Sequence, residues 1–201
     1  MRRAGLIGML ILAFAWGGPL PGQVAESFVA HMLLHMAVVG LAVPLIALGL
    51  APRVTGHLPA GLLLPVMVSL ADLVVVWTWH APLPHEAARS SLLWLTVEQL
   101  SFFAISLMVW LLALAGRDGR SDLAGALTLF FTSMHMTLLG ALLALSHRDL
   151  YPGLGLLPAH AGHAVTEQQI GGAIMLVIGG VIYLGGALWL VSRVLRGAEA
   201  S

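Results

Sequence analysis

The chain has 201 residues, of which 59% are hydrophobic and only 9% charged, and its net charge is zero with histidine neutral. Soluble domains carry about 25% charged residues, so this balance excludes an ordinary soluble globule and a disordered chain. It leaves an integral membrane protein built from apolar helices. Zero net charge gives no field to recruit nucleic acid. The absence of cysteine excludes disulfides, thiolate zinc sites, Cys-ligated iron–sulfur clusters and CxxC copper carriers.

In chain order, residues 1–17 open with Arg2-Arg3 ahead of an apolar run, and Ala13-Phe14-Ala15 fits a small-x-small cleavage site. The segment reads equally as a signal peptide or as a short first span. Residues 18–201 read as a single membrane domain with spans near 27–50, 60–80, 92–115, 123–146 and 169–192. Each approaches the length of about 20 residues that crosses the hydrocarbon. Lipid leaves sheet edges unsatisfied, so the expected fold is all-α, a polytopic transmembrane helix bundle. Pro44 predicts a kink in the 27–50 helix. Tyr151-Pro152-Gly153 and Pro158 predict a structured turn between His147 and Gln168. Thr166-Glu167-Gln168-Gln169 reads as a capping box opening the last span. In that span Gly172, Gly179 and Gly186 recur seven apart. Such a stripe admits a close neighbour, which predicts a helix-packing partner there.

Arginine sets the orientation. With the N-terminus inside, the inner segments hold Arg2, Arg3, Arg53, Arg117, Arg120, Arg193 and Arg196, and the outer ones only Arg89 and Arg148. The positive-inside rule then predicts a multi-pass protein of a bacterial-type plasma membrane with a cytoplasmic C-terminus. Trp77, Trp79, Trp94 and Tyr151 fall at the outer boundary, as an aromatic belt would.

On this topology eight of the nine histidines lie at the outer face or in the outer half of the membrane, and only His57 is inner. The strongest local motif is His31-Met32-Leu33-Leu34-His35-Met36. Residues four apart share a helix face, so His31 and His35 can offer two imidazoles to one metal. His80 follows the next span, and His135 lies within the span 123–146, where an ionisable side chain is costly and functional by default. Imidazole with thioether suits copper(I), which makes His31, His35, His80 and His135 the candidate ligands. Met32 and Met36 are read as auxiliary, since methionine in an apolar span is more often core filler. Asp72 and Glu98 are intramembrane acids that need donors in the bundle interior; they read as oxygen ligands or as groups orienting a ligand histidine.

The run Phe28-Val29-Ala30-His31-Met32-Leu33-Leu34-His35-Met36, followed by Pro44, resembles the opening signature of the multi-span CtaG family of cytochrome c oxidase assembly factors. Trp79-His80-Ala81-Pro82 resembles its next block. Leu150-Tyr151-Pro152 with Glu167-Gln168-Gln169-Ile170-Gly171-Gly172 resembles the block leading into its last helices. This family is distinct from the single-span, cysteine-dependent copper chaperone of the same name. The chain is shorter than seven-span members and carries Glu167 where an Asp is expected. The resemblance implies a non-catalytic role in maturing a haem–copper oxidase, by helping deliver copper to its catalytic subunit. It carries over His31, His35, His80 and the Glu167-Gln168 pair. Two other readings stay open: a haem-binding membrane cytochrome or redox subunit, and a scaffold or supernumerary oxidase subunit working through the glycine stripe. No arrangement for hydrolysis is present, since His31-Met32-Leu33-Leu34-His35 lacks the Glu of HExxH.

Overall fold

The computed structural model describes residues 2–55, 61–116, 118–151 and 161–199, with the side chains of all but Arg2 and 161–166. His57, His160, the side chain of His163, and the turn expected at Pro152-Gly153 and Pro158 lie outside the described residues. Within them every regular element is helical: α1 (Arg2–Gly17), α2 (Leu20–Gln23), α3 (Phe28–Met36), α4 (Val43–Val54), α5 (Leu63–Trp79), α6 (Pro82–Ser90), α7 (Leu92–Leu114), α8 (Gly119–Leu145), α9 (Ala161–Gly179) and α10 (Gly185–Glu199). Two π-helical segments, Ala37–Ala42 and Gly180–Leu184, join α3 to α4 and α9 to α10. Helices satisfy their own backbone groups, which is the condition for crossing lipid.

Arg3–Gln23, Phe28–Val54, Leu92–Leu114, Gly119–Leu145 and Glu167–Glu199 are each long and apolar enough to span a membrane. The chain is therefore a multi-pass membrane protein. The span expected at 60–80 is the 17-residue α5, at the short end of spanning length, and the chain bends from it by 69° into α6. The first 17 residues belong to a helical stretch that continues to Gln23. It lies so close to α4 that a Cβ on Gly8 would stand 2.8 Å from Ile46 N.

Pro44 acts through a π-turn. Proline has no N–H and its ring crowds the carbonyl four residues back, here Gly40. The helix widens just before it, and Val43 N–H bonds Val38 O in place of Val39 O. The released Val39 carbonyl accepts from the Tyr183 hydroxyl at 3.2 Å. Tyr183 itself sits on the second π segment, with Ser106 Oγ 3.0 Å from its oxygen. Both irregular turns thus meet in one buried polar contact, as a dry interior requires.

Two sequence expectations need correction. The last span does not begin at a Thr166 capping box: α9 already starts at Ala161, and Glu167 caps a different helix. The glycine stripe is covered by the chain itself. A Cβ on Gly172 would lie 2.5 Å from Ala144 N of α8, and one on Gly186 would meet Leu129 and the Trp110 ring of α7 at 2.9 Å. Small residues here seat neighbouring helices of the same bundle, so the stripe offers no face to the partner expected at the last span.

Candidate metal centre

Four helices converge at one end of the bundle, and each delivers a polar side chain into the same buried space. Helix α3 brings two. Ser27 caps it, its Oγ accepting from Ala30 N at 3.1 Å, and the same hydroxyl donates to Glu167 Oε2 at 2.7 Å. Val29 N–H also donates to Glu167 Oε2 at 3.2 Å. The carboxylate thus lies where a helix N-terminus favours negative charge. His31 and His35 follow one turn apart, both completely buried.

Helix α5 ends at His80. Its ring Nδ1 lies 2.7 Å from Val76 O. A carbonyl can only accept, so Nδ1 carries the proton and the Nε2 lone pair is left free. Helix α6 then turns back. Ala81 is extended and Pro82 occupies the first turn with its φ preset. The sharp bend from α5 lays His85 against His31, their ring centroids 4.6 Å apart. Arg89 locks α6 in place: its Nε donates to Val24 O at 3.0 Å and its Nη2 to Ala25 O.

Helix α7 supplies Glu98, completely buried, with Oε1 3.7 Å from His31 Nε2. Its other oxygen accepts a long hydrogen bond of 3.4 Å from Gln99, whose own carbonyl oxygen faces Trp16 Nε1 at 3.4 Å. His31, His85 and Glu98 each offer one ligand atom, and these lie within 4.8 Å of one another. His35 and His80 stand beside them, with ring centroids 5.5 Å apart.

The walls are aromatic. Phe102 meets His35 edge-on at 4.1 Å, and Phe28 stacks on Tyr151 at 4.9 Å. The Tyr151 hydroxyl donates to His80 O at 2.9 Å. Burial holds this phenol above its usual pKa, so it stays a donor. Gln168 braces the segment that carries Tyr151, donating to Arg148 O at 3.2 Å and accepting from Leu150 N at 3.0 Å.

What these histidines lack is partners. Both ring nitrogens of His31, His35 and His85, Nε2 of His80 and Oε1 of Glu98 are buried without a hydrogen bond. Each such orphan costs about 1–3 kcal/mol unless something satisfies it. A concentration of this kind in one pocket fits a cation better than it fits a structural core.

Of the sequence-predicted ligands, His31, His35 and His80 come together. His135 does not join them. Its Nε2 lies 3.0 Å from Asp72 Oδ2, which also accepts from Thr132 at 3.3 Å. Asp72 precedes His80 by eight residues on α5, about 12 Å deeper at 1.5 Å per residue. Met32 is core filler, as a Cβ on Gly171 of α9 would lie 2.9 Å from its Cγ; Met36 is equally buried. Glu167 and Gln168 brace the site without entering it. The sequence reading missed His85 and placed Glu98 only among the auxiliaries. The available signal was Pro82 opening a helix in which His85, Ala88 and Arg89 are the buried positions, a helical spacing.

Fold and pocket together define a polytopic helical membrane protein with a buried histidine–carboxylate cluster at one end. Residues 4–197 match the family described as cytochrome c oxidase caa3 assembly factor, CtaG. The chain belongs to this family, as the sequence motifs implied. No curated protein and no solved structure matches it.

Proposed function

We propose that this protein serves oxidase assembly without catalysis of its own, by binding a copper ion as cargo at His31, His85 and Glu98 and passing it to the catalytic subunit. The observation that carries the reading is the three unpartnered donors within 4.8 Å of one another. Donors that share an ion at bond lengths near 2 Å are at most about 4 Å apart. The His31–Glu98 pair at 3.7 Å already meets this, and the third donor must close by less than about 1 Å.

Charge selects the oxidation state. Two neutral imidazoles, one carboxylate and Cu(I) sum to zero, whereas a divalent ion leaves a net charge in a dry pocket at high cost. Imidazole ligation suits copper. With no thiolate in the chain, the ion remains exchangeable, as delivery needs. The positive-inside pattern supports a non-cytoplasmic position for this end of the bundle. The His31 and His85 rings, 4.6 Å apart, leave no slot for a macrocycle between them, which favours a compact ion over haem.

The test is competition of the purified protein against a Cu(I) chelator. Wild type binds saturably, and His31→Ala or Glu98→Gln weakens binding at least about tenfold, the scale seen when a metal ligand set is disturbed. In cells the same variants yield copper-deficient oxidase. Absence of saturable binding, or affinity unchanged in both variants, overturns the proposal.

A further inference from the structure

A single ion at His31, His85 and Glu98 leaves part of the cluster unexplained. His35 has no partner for either ring nitrogen, and His80 has none for Nε2. Neither belongs to the three-donor group. Both are buried, His35 completely and His80 to all but 5%. The apolar Phe102 ring stands beside both, and the His31 ring lies 6.2 Å from that of His80.

We infer that His35 and His80 form a second, deeper station for a monovalent copper ion. Three observations converge on this pair. First, His80 is oriented as a ligand: Val76 O takes its Nδ1 proton, which fixes the tautomer and leaves Nε2 as a lone pair. Second, the rings lie at 5.5 Å between centroids, inclined at 75°. Two imidazoles that share an ion through bonds of about 2 Å hold their ring centres about 5–6 Å apart. Third, His35 lies one turn below His31 on α3, a step of about 6 Å along the axis. The second ion is therefore close enough to receive cargo from the first and far enough to be a separate site.

The pair suits Cu(I) in particular. Two neutral imidazoles can hold a soft monovalent ion in low coordination, whereas a divalent ion demands more ligands than this apolar wall supplies. His31 bridges the two stations in space, its ring 6.2 Å from that of His80. The arrangement makes a short relay: an outer station with a carboxylate, and an inner one with imidazoles alone.

This inference rests on the proposed function and deepens it, and its test separates the two. Cu(I) is titrated into detergent-purified full-length protein, and bound metal is counted per chain after chelator competition. Wild type takes up two ions. The pair His35→Leu with His80→Gln takes up one, and the pair His31→Leu with Glu98→Gln also takes up one. X-ray absorption of the latter shows the edge of two-coordinate Cu(I) with the multiple scattering of two imidazole rings. Size-exclusion profile and helical content confirm that each variant is folded, and the single variant His80→Gln repeats the count if the double variant is not. One ion in wild type that survives loss of His35 and His80 overturns the second station and leaves the first standing. One ion in wild type that disappears in both pair variants reveals a single merged site and also overturns it. Two ions retained after loss of His35 and His80 place the second ion elsewhere and overturn it as well.

Discussion

Glu167 on α9 and Ser27 at the head of α3 are joined by a hydrogen bond of 2.7 Å, although 140 residues separate them in sequence. The helix that carries His31 and His35 is thus anchored at its N-terminus by the last span. Removing a helix cap costs about 0.5–2 kcal/mol, and hydrogen bonds to a charged group lie at the upper end of such effects. Glu167→Ala is expected to destabilise the protein by about 1–2 kcal/mol, read as a lower midpoint of thermal unfolding in detergent. Glu167→Gln should fall between, because an amide oxygen still accepts from Ser27 and Val29.

Gln99 tests the support of the cluster. It donates to Glu98 Oε2 and faces Trp16 of α1, both at 3.4 Å. Neither Gln99 nor Trp16 offers a donor to the ion, so their action is on the aim of the carboxylate. Gln99→Leu is expected to lower Cu(I) affinity about tenfold with the unfolding midpoint little changed. An affinity equal to wild type would show that Glu98 needs no such support.

Much of the fold was legible from apolar run length alone, because lipid allows a single solution for a long apolar segment. Residues 27–50, 92–115 and 123–146 became helices with ends shifted by a few positions. The pocket was legible only in part. His31 and His35 announce themselves by their spacing on one helix. His85 does not, because the segment His80 to Ser91 is polar and short, and its helix is recognisable only from Pro82 and the buried face. Glu167 misled for the opposite reason: a local capping pattern was present, but the partner it caps is supplied by tertiary packing. The local spacing around Glu167 does not announce which distant helix the carboxylate will cap.

The glycine stripe of the last span should separate into three grades. A Cβ on Gly172 would press on the backbone of α8, at 2.5 Å from Ala144 N and 2.7 Å from Gly140 O. Backbone cannot move aside, so Gly172→Ala forces the helices apart at a cost of about 1–3 kcal/mol. At Gly186 the obstacles are side chains, Leu129 and Trp110 at 2.9 Å, which can shift in part. At Gly179 the nearest atoms are those of Met136 at 3.6 Å, an ordinary contact. The expected order of destabilisation is Gly172→Ala, then Gly186→Ala, then Gly179→Ala near neutral, measured by thermal unfolding. Equal effects at all three would return the stripe to a role outside the bundle.

His135 and Asp72 provide the sharpest contrast with the histidine–carboxylate cluster, since sequence alone put His135 among the ligands. Their contact at 3.0 Å, reinforced by Thr132, ties α5 to α8 about two turns below His80. Breaking a buried pair of this kind leaves the surviving member uncompensated, at about 3–5 kcal/mol. Asp72→Ala strands both the His135 ring and the Thr132 hydroxyl, so it should sharply lower the unfolding midpoint. The same loss of stability is expected of His135→Leu, which leaves the carboxyl of Asp72 with Thr132 alone. Copper stoichiometry of whatever folded protein remains should equal that of wild type in both variants. A variant at His135 that stays stable but loses an ion would move this residue back among the ligands.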